Sequence, residues 1–227
     1  MDAAAQMDRQ YRLQRYVYDL SRKYYLLGRD TLLAEIPLRP RETLLEVGCG
    51  TARNLIFLAR AHSEARLHGL DASARMLETA RGKLERRALR DRIELRQGLA
   101  ESVRPRDFGL ADPFDHILFP YVLSMIPDWP RALEHALSVL KPGGWLHIVD
   151  FSDQQAMPRW FRAGLLRWLA WFHVRPAPDL PDALHRLAAD RGDHLELRQL
   201  AGRYALIAHY QRGSNPDDPE PELSHLS

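Results

Sequence analysis

Cysteine is almost missing: Cys49 stands alone among 227 residues, which excludes an intrachain disulfide and suits a reducing cytoplasm. Lysine is nearly as scarce, confined to positions 23, 83 and 141, so the basic residues are mostly arginine. Codon bias explains that skew as readily as phosphate binding does. Charge of one sign is lacking too: a net +2 is too small to point to nucleic acid, and none is expected as a partner. No uninterrupted apolar run approaches the roughly 20 residues of a membrane span. The N-terminus, with Asp2, Asp8 and Arg9, has no apolar signal-peptide core. Internal repeats are absent. What remains is ordinary for a soluble globular chain, 45% apolar and 27% charged, with the length of one α/β domain plus extensions.

The organising stretch is Thr43-Leu-Leu-Glu-Val-Gly-Cys-Gly-Thr-Ala-Arg-Asn54. Leu44–Val47 reads as a buried parallel strand, Gly48 and Gly50 as a tight turn, and Asn54 onward as a helix. Such a corner binds nucleotides, because glycine backbone approaches a ligand closely and a helix start presents free N–H groups. A dinucleotide fingerprint needs a third glycine at position 53, which is Arg53, so a pyrophosphate is not expected. The pattern acidic-x-Gly-x-Gly-x-small, met by Glu46, Gly48, Gly50 and Ala52, resembles motif I of the class I S-adenosylmethionine methyltransferases. Ala52 stands where many members carry a further glycine, a mild departure if smallness is all the position needs.

Residues 1–36 read as a helical cap, crowded with Tyr11, Tyr16, Tyr18, Tyr24 and Tyr25. Arg66–Asp71 is the second strand, followed by a helix from Ser73 to Leu89. Asp71, at a strand's carboxyl end, is placed to accept both ribose hydroxyls of an adenosine cofactor; as an isolated residue it would be a helix N-cap. Ile93–Gln97 is the third strand, ending in Gly98-Leu99-Ala100. Leu99 occupies the place where the resembled family often has Asp for the adenine amino group. Leu99 and Met76 can instead sandwich the ring, or a backbone N–H can read it. Phe114–Phe119 is the fourth strand, with Pro120 and Tyr121 at its end; His116, near its start, reads as structural. A helix over 131–140 ends at Lys141-Pro-Gly-Gly, a turn into strand five, Trp145–Asp150. A helix over 182–190 and two strands, 195–200 and 204–210, complete the fold, and the Pro-rich acidic tail from 213 reads as disordered.

Alternation of strand and helix predicts a doubly wound α/β sheet. The resemblance makes it the Rossmann-like, seven-stranded, mostly parallel class I sheet with a closing antiparallel strand, in one domain over 1–212. Gly48, Asp71, Leu99, Tyr121 and Asp150 are then expected around one crevice at the carboxyl ends of the strands. The cofactor-binding set implied by the resemblance is Tyr24, Glu46, Gly48, Cys49, Gly50, Asn54, Asp71, Ala72, Met76, Gly98, Leu99, Ala100 and Pro120; no metal is called for. Cys49 is expected to matter through its backbone.

Residues 157–175 contain four arginines, three of the five tryptophans and no acid. Positions 157, 161, 165, 168, 169 and 172 share one helical face. A basic amphipathic helix carrying Trp and Phe can lie in an anionic membrane interface; a core-facing or dimer-forming helix fits the stretch as well. Taken with motif I, the segments Arg22-Lys-Tyr-Tyr-Leu-Leu-Gly-Arg-Asp30, Leu123-Ser-Met-Ile-Pro-Asp-Trp129, His147-Ile-Val-Asp-Phe151 and Pro158-Arg-Trp-Phe161 resemble the diacylglyceryl-homoserine N-methyltransferases. The resemblance implies three methyl transfers from S-adenosylmethionine to one lipid amine, completing the betaine lipid diacylglyceryl-N,N,N-trimethylhomoserine. It also implies a peripheral enzyme at the inner face of the membrane and a partnership with the aminocarboxypropyl transferase that makes the substrate. Tyr25 and Tyr121 are candidates to line the methyl-transfer channel, Asp150 to orient the amine or take its proton, and Arg29 or Arg159 to hold the homoserine carboxylate. The competing readings are a phosphatidylethanolamine N-methyltransferase, a quinone C-methyltransferase, and a cofactor-binding membrane-associated protein without catalysis.

Overall fold

The computed structural model describes residues 26–171 and 174–214. Tyr24, Tyr25 and the rest of the expected cap before Leu26 lie outside the described residues, as do Phe172, His173 and the tail from 215. The element order is α1 (Arg29–Glu35), β1 (Thr43–Val47), α2 (Arg53–Ala61), β2 (Arg66–Asp71), α3 (Ala74–Glu85), β3 (Ile93–Gln97), β4 (Phe114–Pro120), α4 (Trp129–Ser138), β5 (Leu140–Phe151), α5 (Arg159–Trp171), α6 (Leu180–Arg191), β6 (His194–Leu200) and β7 (Ala205–Gln211).

The seven strands form one sheet in the order β3-β2-β1-β4-β5-β7-β6. All pairings are parallel except those of β7, which runs antiparallel to both β5 and β6. This is the Rossmann-like class I methyltransferase sheet that the motifs predict. Its strand order reverses between β1 and β4, so the crevice of a doubly wound sheet opens beside the end of β1.

Alternation along the central strands builds two apolar layers. Leu44, Leu118 and Ile207 pack on one face with Leu32 and Leu33 of α1, Leu55 and Leu58 of α2, Leu77 of α3 and Leu169 of α5. Leu45, Ile117, Phe119 and Leu206 pack on the other with Leu133 and Leu137 of α4 and Leu180 and Leu184 of α6. The result is three layers, helix on sheet on helix.

Two boundaries differ from the expectation for physical reasons. The helix predicted to reach Leu89 stops at Glu85: Ala88 turns left-handed (φ 53°) and the Leu89 N–H donates to the Leu84 carbonyl at 3.0 Å, a Schellman-type ending without glycine. Lys141–Gly144 is not a turn outside the sheet but part of a 12-residue β5. The Gly143 N–H donates to the Arg212 carbonyl and the Arg212 N–H to the Gly144 carbonyl, both at 3.0 Å. A register shift between Phe114 and His116 absorbs the extra residues.

Candidate active site and cofactor cleft

The loop after β1 is shaped by left-handed backbone. Gly48 and Gly50 have φ 69° and 53°, and a Cβ on Gly48 would lie 2.4 Å from Val122 Cγ2. Ala52 also sits at φ 61°, fully buried at the start of α2, so position 52 demands more than a small side chain: only glycine adopts that region without cost. The Cys49 N–H donates to the Leu70 carbonyl at 3.0 Å, stitching the loop to β2. The Cys49 thiol is buried and faces Gly69 in the core, and burial pushes its pKa upward, as befits a residue acting through its backbone.

Asp71, at the end of β2, accepts from the Gly50 N–H (2.7 Å) through Oδ2 and from the Ser73 N–H (2.8 Å) through Oδ1. It therefore fixes both the glycine loop and the approach to α3, whose N-cap is Ser73. Each carboxylate oxygen keeps a second lone pair, and Asp71 is only half-buried, so it can still accept from a ligand.

Between these walls lies a cleft of about 410 Å³. Gly48, Gly50, Asp71, Ala72, Met76, Gly98, Leu99, Ala100 and Tyr121 line it, so most of the residues named from sequence meet there. Glu46 and Asn54 do not reach it. Glu46 is buried beneath the loop, its Oε1 accepting from Asn54 Nδ2 at 2.7 Å, a bond that joins β1 to α2 and holds the turn from below. Pro120 is buried at the end of β4.

Asp150 corrects the expectation of a five-residue crevice. It is 1% exposed and absent from the cleft lining. Its Oδ2 accepts from the Ser124 N–H at 3.1 Å and its Oδ1 from its neighbour Phe151 N–H at 2.7 Å. Burial raises its pKa to about 6, against the opposing pull of Ser124. It holds the loop after β4 from behind.

Tyr121 does line the cleft, with φ 59° and its ring edge-on to Phe151 at 4.8 Å. Its hydroxyl donates to the Leu27 carbonyl at 2.5 Å, and burial, with Asp150 nearby, pushes its pKa upward. The bond ties the chain entering α1 to the cleft. A second tie runs from Arg53 to Asp30, at 2.9 and 3.2 Å. Arg29 is buried close enough to Tyr121 to oppose that pKa rise, whereas Arg159 is exposed on α5.

Sequence reasoning left out Ser73, Glu101, Val122, Met125, Ile126 and Pro127, which also line the cleft. Glu101 brings a carboxylate to the wall that Leu99 leaves apolar; its place two residues past Leu99 was the available signal. The Val122–Pro127 segment stood out only through the family resemblance of Leu123–Trp129; its place in the cleft could not be read, because it depends on Asp150 and Tyr121 across the sheet end.

Residues 45–146 match the sequence family described as Methyltransferase domain. The chain is 33% identical over 117 residues to a trans-aconitate 2-methyltransferase of Azoarcus sp., covering 52% of this chain and 42% of that protein. It is 31% identical over 142 residues to a demethylmenaquinone methyltransferase of Listeria welshimeri, covering 62% and 58%. The chain thus spans about half the length of the curated relatives it matches. Among solved structures it resembles an S-adenosylmethionine-dependent methyltransferase from Aquifex aeolicus (TM-score 0.61, 18% identity, 87% of this chain and 97% of that one). It also resembles the [4+2]-cyclase SpnF (TM-score 0.66, 18% identity, 82% and 80%). At such identities the likeness is one of fold, and the cyclase shows that this fold alone does not fix a reaction.

Residues 45–146 are thus similar to a methyltransferase domain, carried on a sheet and glycine loop of the class I S-adenosylmethionine-dependent methyltransferase type. The cofactor is S-adenosylmethionine, and the cleft fits it. A backbone cradle that a single Cβ would fill, an accessible carboxylate at the end of β2 and apolar plates at Met76 and Leu99 suit its aminoacyl, ribose and adenine parts in turn.

Proposed function

We propose that the protein transfers methyl groups to the amine of a diacylglyceryl lipid, diacylglyceryl-homoserine, carrying it to the trimethylated betaine lipid. The observation that carries this reading is the far end of the cleft, where Tyr121, Val122, Met125, Ile126 and Pro127 form an apolar and aromatic wall. An alkylated ammonium gains from an aromatic face and loses little where strong hydrogen-bond partners are few. Bound S-adenosylmethionine supplies an electrophilic sulfonium methyl group. The glycine loop and Asp71 fix the cofactor's position, while the 122–127 segment, held by Asp150, fixes the acceptor's. Alignment of this kind lowers the barrier without a strong base, so the acceptor ammonium can lose its proton to water before each transfer. Neither arginine offered for the homoserine carboxylate lines the cleft: Arg29 is buried near Tyr121 and Arg159 lies exposed on α5.

A second reading is methylation of a quinone ring carbon, which the likeness to demethylmenaquinone methyltransferases favours. Incubation with labelled S-adenosylmethionine and a panel of lipids, with product masses read out, decides between them. Mono-, di- and trimethylated homoserine lipid is the expected result. Label in a quinone alone, or in phosphatidylethanolamine alone, overturns the homoserine reading.

A further inference from the structure

Helix α5 divides into two faces. Leu169 is buried, and Leu165 and Trp168 pack beside it against the apolar layer over β1 and β4. The expected apolar stripe is therefore largely the inner face. The outer face carries what the amphipathic reading left unassigned. Trp160 is 77% exposed and Trp171 62% exposed, about three turns or roughly 16 Å apart along the axis, with Arg167 between them on the same side. Phe161, 39% exposed, packs edge-on against Trp160 at 5.8 Å. Arg159, Arg162, Arg167 and Arg175 are all exposed, and among the described residues none forms an ion pair with a carboxylate. Water is a poor surrounding for two exposed indoles, and a protein's own interior already has the other face.

The helix is also wired to the cleft. After α5, the Val174 N–H donates to the Leu169 carbonyl at 3.1 Å and the Arg175 N–H to the Ser124 carbonyl at 2.7 Å. The Ser124 peptide is thus held on both sides, its N–H by Asp150 and its carbonyl by Arg175. The next residue, Met125, lines the cleft and is 44% exposed.

We propose that the outer face of α5 docks on an anionic phospholipid surface and thereby presents the Met125 side of the cleft to the bilayer. Indole rings settle at headgroup depth and guanidinium groups pair with lipid phosphates, a division of labour that the four arginines and two tryptophans supply. The inference rests on the lipid-acceptor reading only for its purpose; the docking itself needs neither cofactor nor acceptor. No helix among the described residues is long and apolar enough to cross a membrane, so contact of this helix has to be interfacial.

The test is sedimentation of the full chain, without cofactor or acceptor, with vesicles of phosphatidylcholine alone or mixed with phosphatidylglycerol. Binding to the mixed vesicles is expected, falling at least tenfold in 1 M salt, where the screening length is about 3 Å. Trp160→Ser with Trp171→Ser should lower it at least tenfold. Arg159→Gln with Arg167→Gln and Arg175→Gln, exposed side chains away from the buried Leu169 side, should abolish the preference for phosphatidylglycerol. Thermal unfolding of each variant separates lost docking from lost fold. Vesicle binding unchanged in both variants overturns the proposal. So does a chain that is dimeric in solution and becomes monomeric in the tryptophan variant, which makes this face a contact between copies. Because no acceptor is present, a chain that binds vesicles yet methylates none of the panel lipids would refute the methyl-acceptor reading and leave docking standing.

Discussion

At Gly48 the backbone conformation and the space run out together. Its φ of 69° disfavours any L side chain by roughly 1–2 kcal/mol, and Val122 stands 2.4 Å from where a Cβ would be. Gly48→Ala is therefore expected to lower stability by about 1–3 kcal/mol in denaturant unfolding. Adding Val122→Ala should recover the steric part and leave the backbone part; full recovery would show that the conformation costs nothing. Ala52 was legible as a small residue but not as a left-handed one, because side-chain identity records volume more directly than φ. Asp71 and Glu101 both bring carboxylates to the cleft lining. Asp71→Ala should weaken S-adenosylmethionine binding by roughly 1.5–3 kcal/mol, the scale of a hydrogen bond to a charged group, and it also frees the Gly50 and Ser73 N–H groups. Glu101→Ala should weaken it less, since no backbone of the loop depends on it. Calorimetric titration of both variants checks the order. Equal affinity in wild type and Asp71→Ala would remove Asp71 from the ribose.

Between elements, the loop after β4 is where the sequence was least informative. Strands β1 to β4 could be read off short apolar runs and the glycine loop off its spacing, since both are local patterns. The placing of Val122–Pro127 is not local: it depends on Asp150 from β5, on Arg175 beyond α5 and on the hydroxyl of Tyr121 reaching Leu27. For the same reason Asp150 was legible as important and misread in its position. As a residue that positions the Val122–Pro127 segment, it makes a different prediction from a proton acceptor. In Asp150→Asn an amide NH₂ replaces one oxygen and faces the Ser124 or Phe151 N–H, donor against donor. KM for the acceptor is expected to rise, with cofactor affinity unchanged and the pH dependence of kcat intact. A kcat collapse with an altered pH profile and normal KM would restore the catalytic role.

At the scale of the whole molecule, three buried titratable groups among the described residues set how stability changes with acid above the ordinary carboxylate range. His147, in the middle of the sheet, is bonded to His116 at 3.0 Å and His209 at 2.9 Å, and these reach Glu42 and Glu35 at 3.0 and 3.3 Å. The chain links β4, β5 and β7 to α1, whose Glu35 also pairs with Arg198 of β6; Asp115, paired with Lys141, adds a second negative charge near Glu42. Burial, reinforced by the two neighbouring imidazoles, holds His147 well below its ordinary 6.5. His68, its ring 5.1 Å from Phe108 and 5.9 Å from Phe114, is lowered by burial to about 4. Asp150 is raised by burial from 3.8 to about 6. A histidine whose folded pKa is depressed contributes stability above the unfolded pKa that is lost as pH falls through 6.5 toward the folded value. An aspartate whose folded pKa is raised acts oppositely, becoming more favourable to folding as pH falls from 6 to 3.8. At about 1.4 kcal/mol per unit, His68 and Asp150 each amount to roughly 3 kcal/mol and nearly cancel. His147 then sets the sign, and stability should decline between pH 6.5 and 4.5, before ordinary carboxylates titrate. His147→Phe, which keeps a ring stacked near Trp145, should lower stability at pH 7 by stripping partners from His116 and His209, yet flatten that decline. Asp150→Asn should steepen it. Denaturant midpoints measured across this range for the three proteins test the argument, and a wild type that gains stability on acidification from pH 6.5 to 4.5 would mean that His147 is not held neutral in the folded sheet.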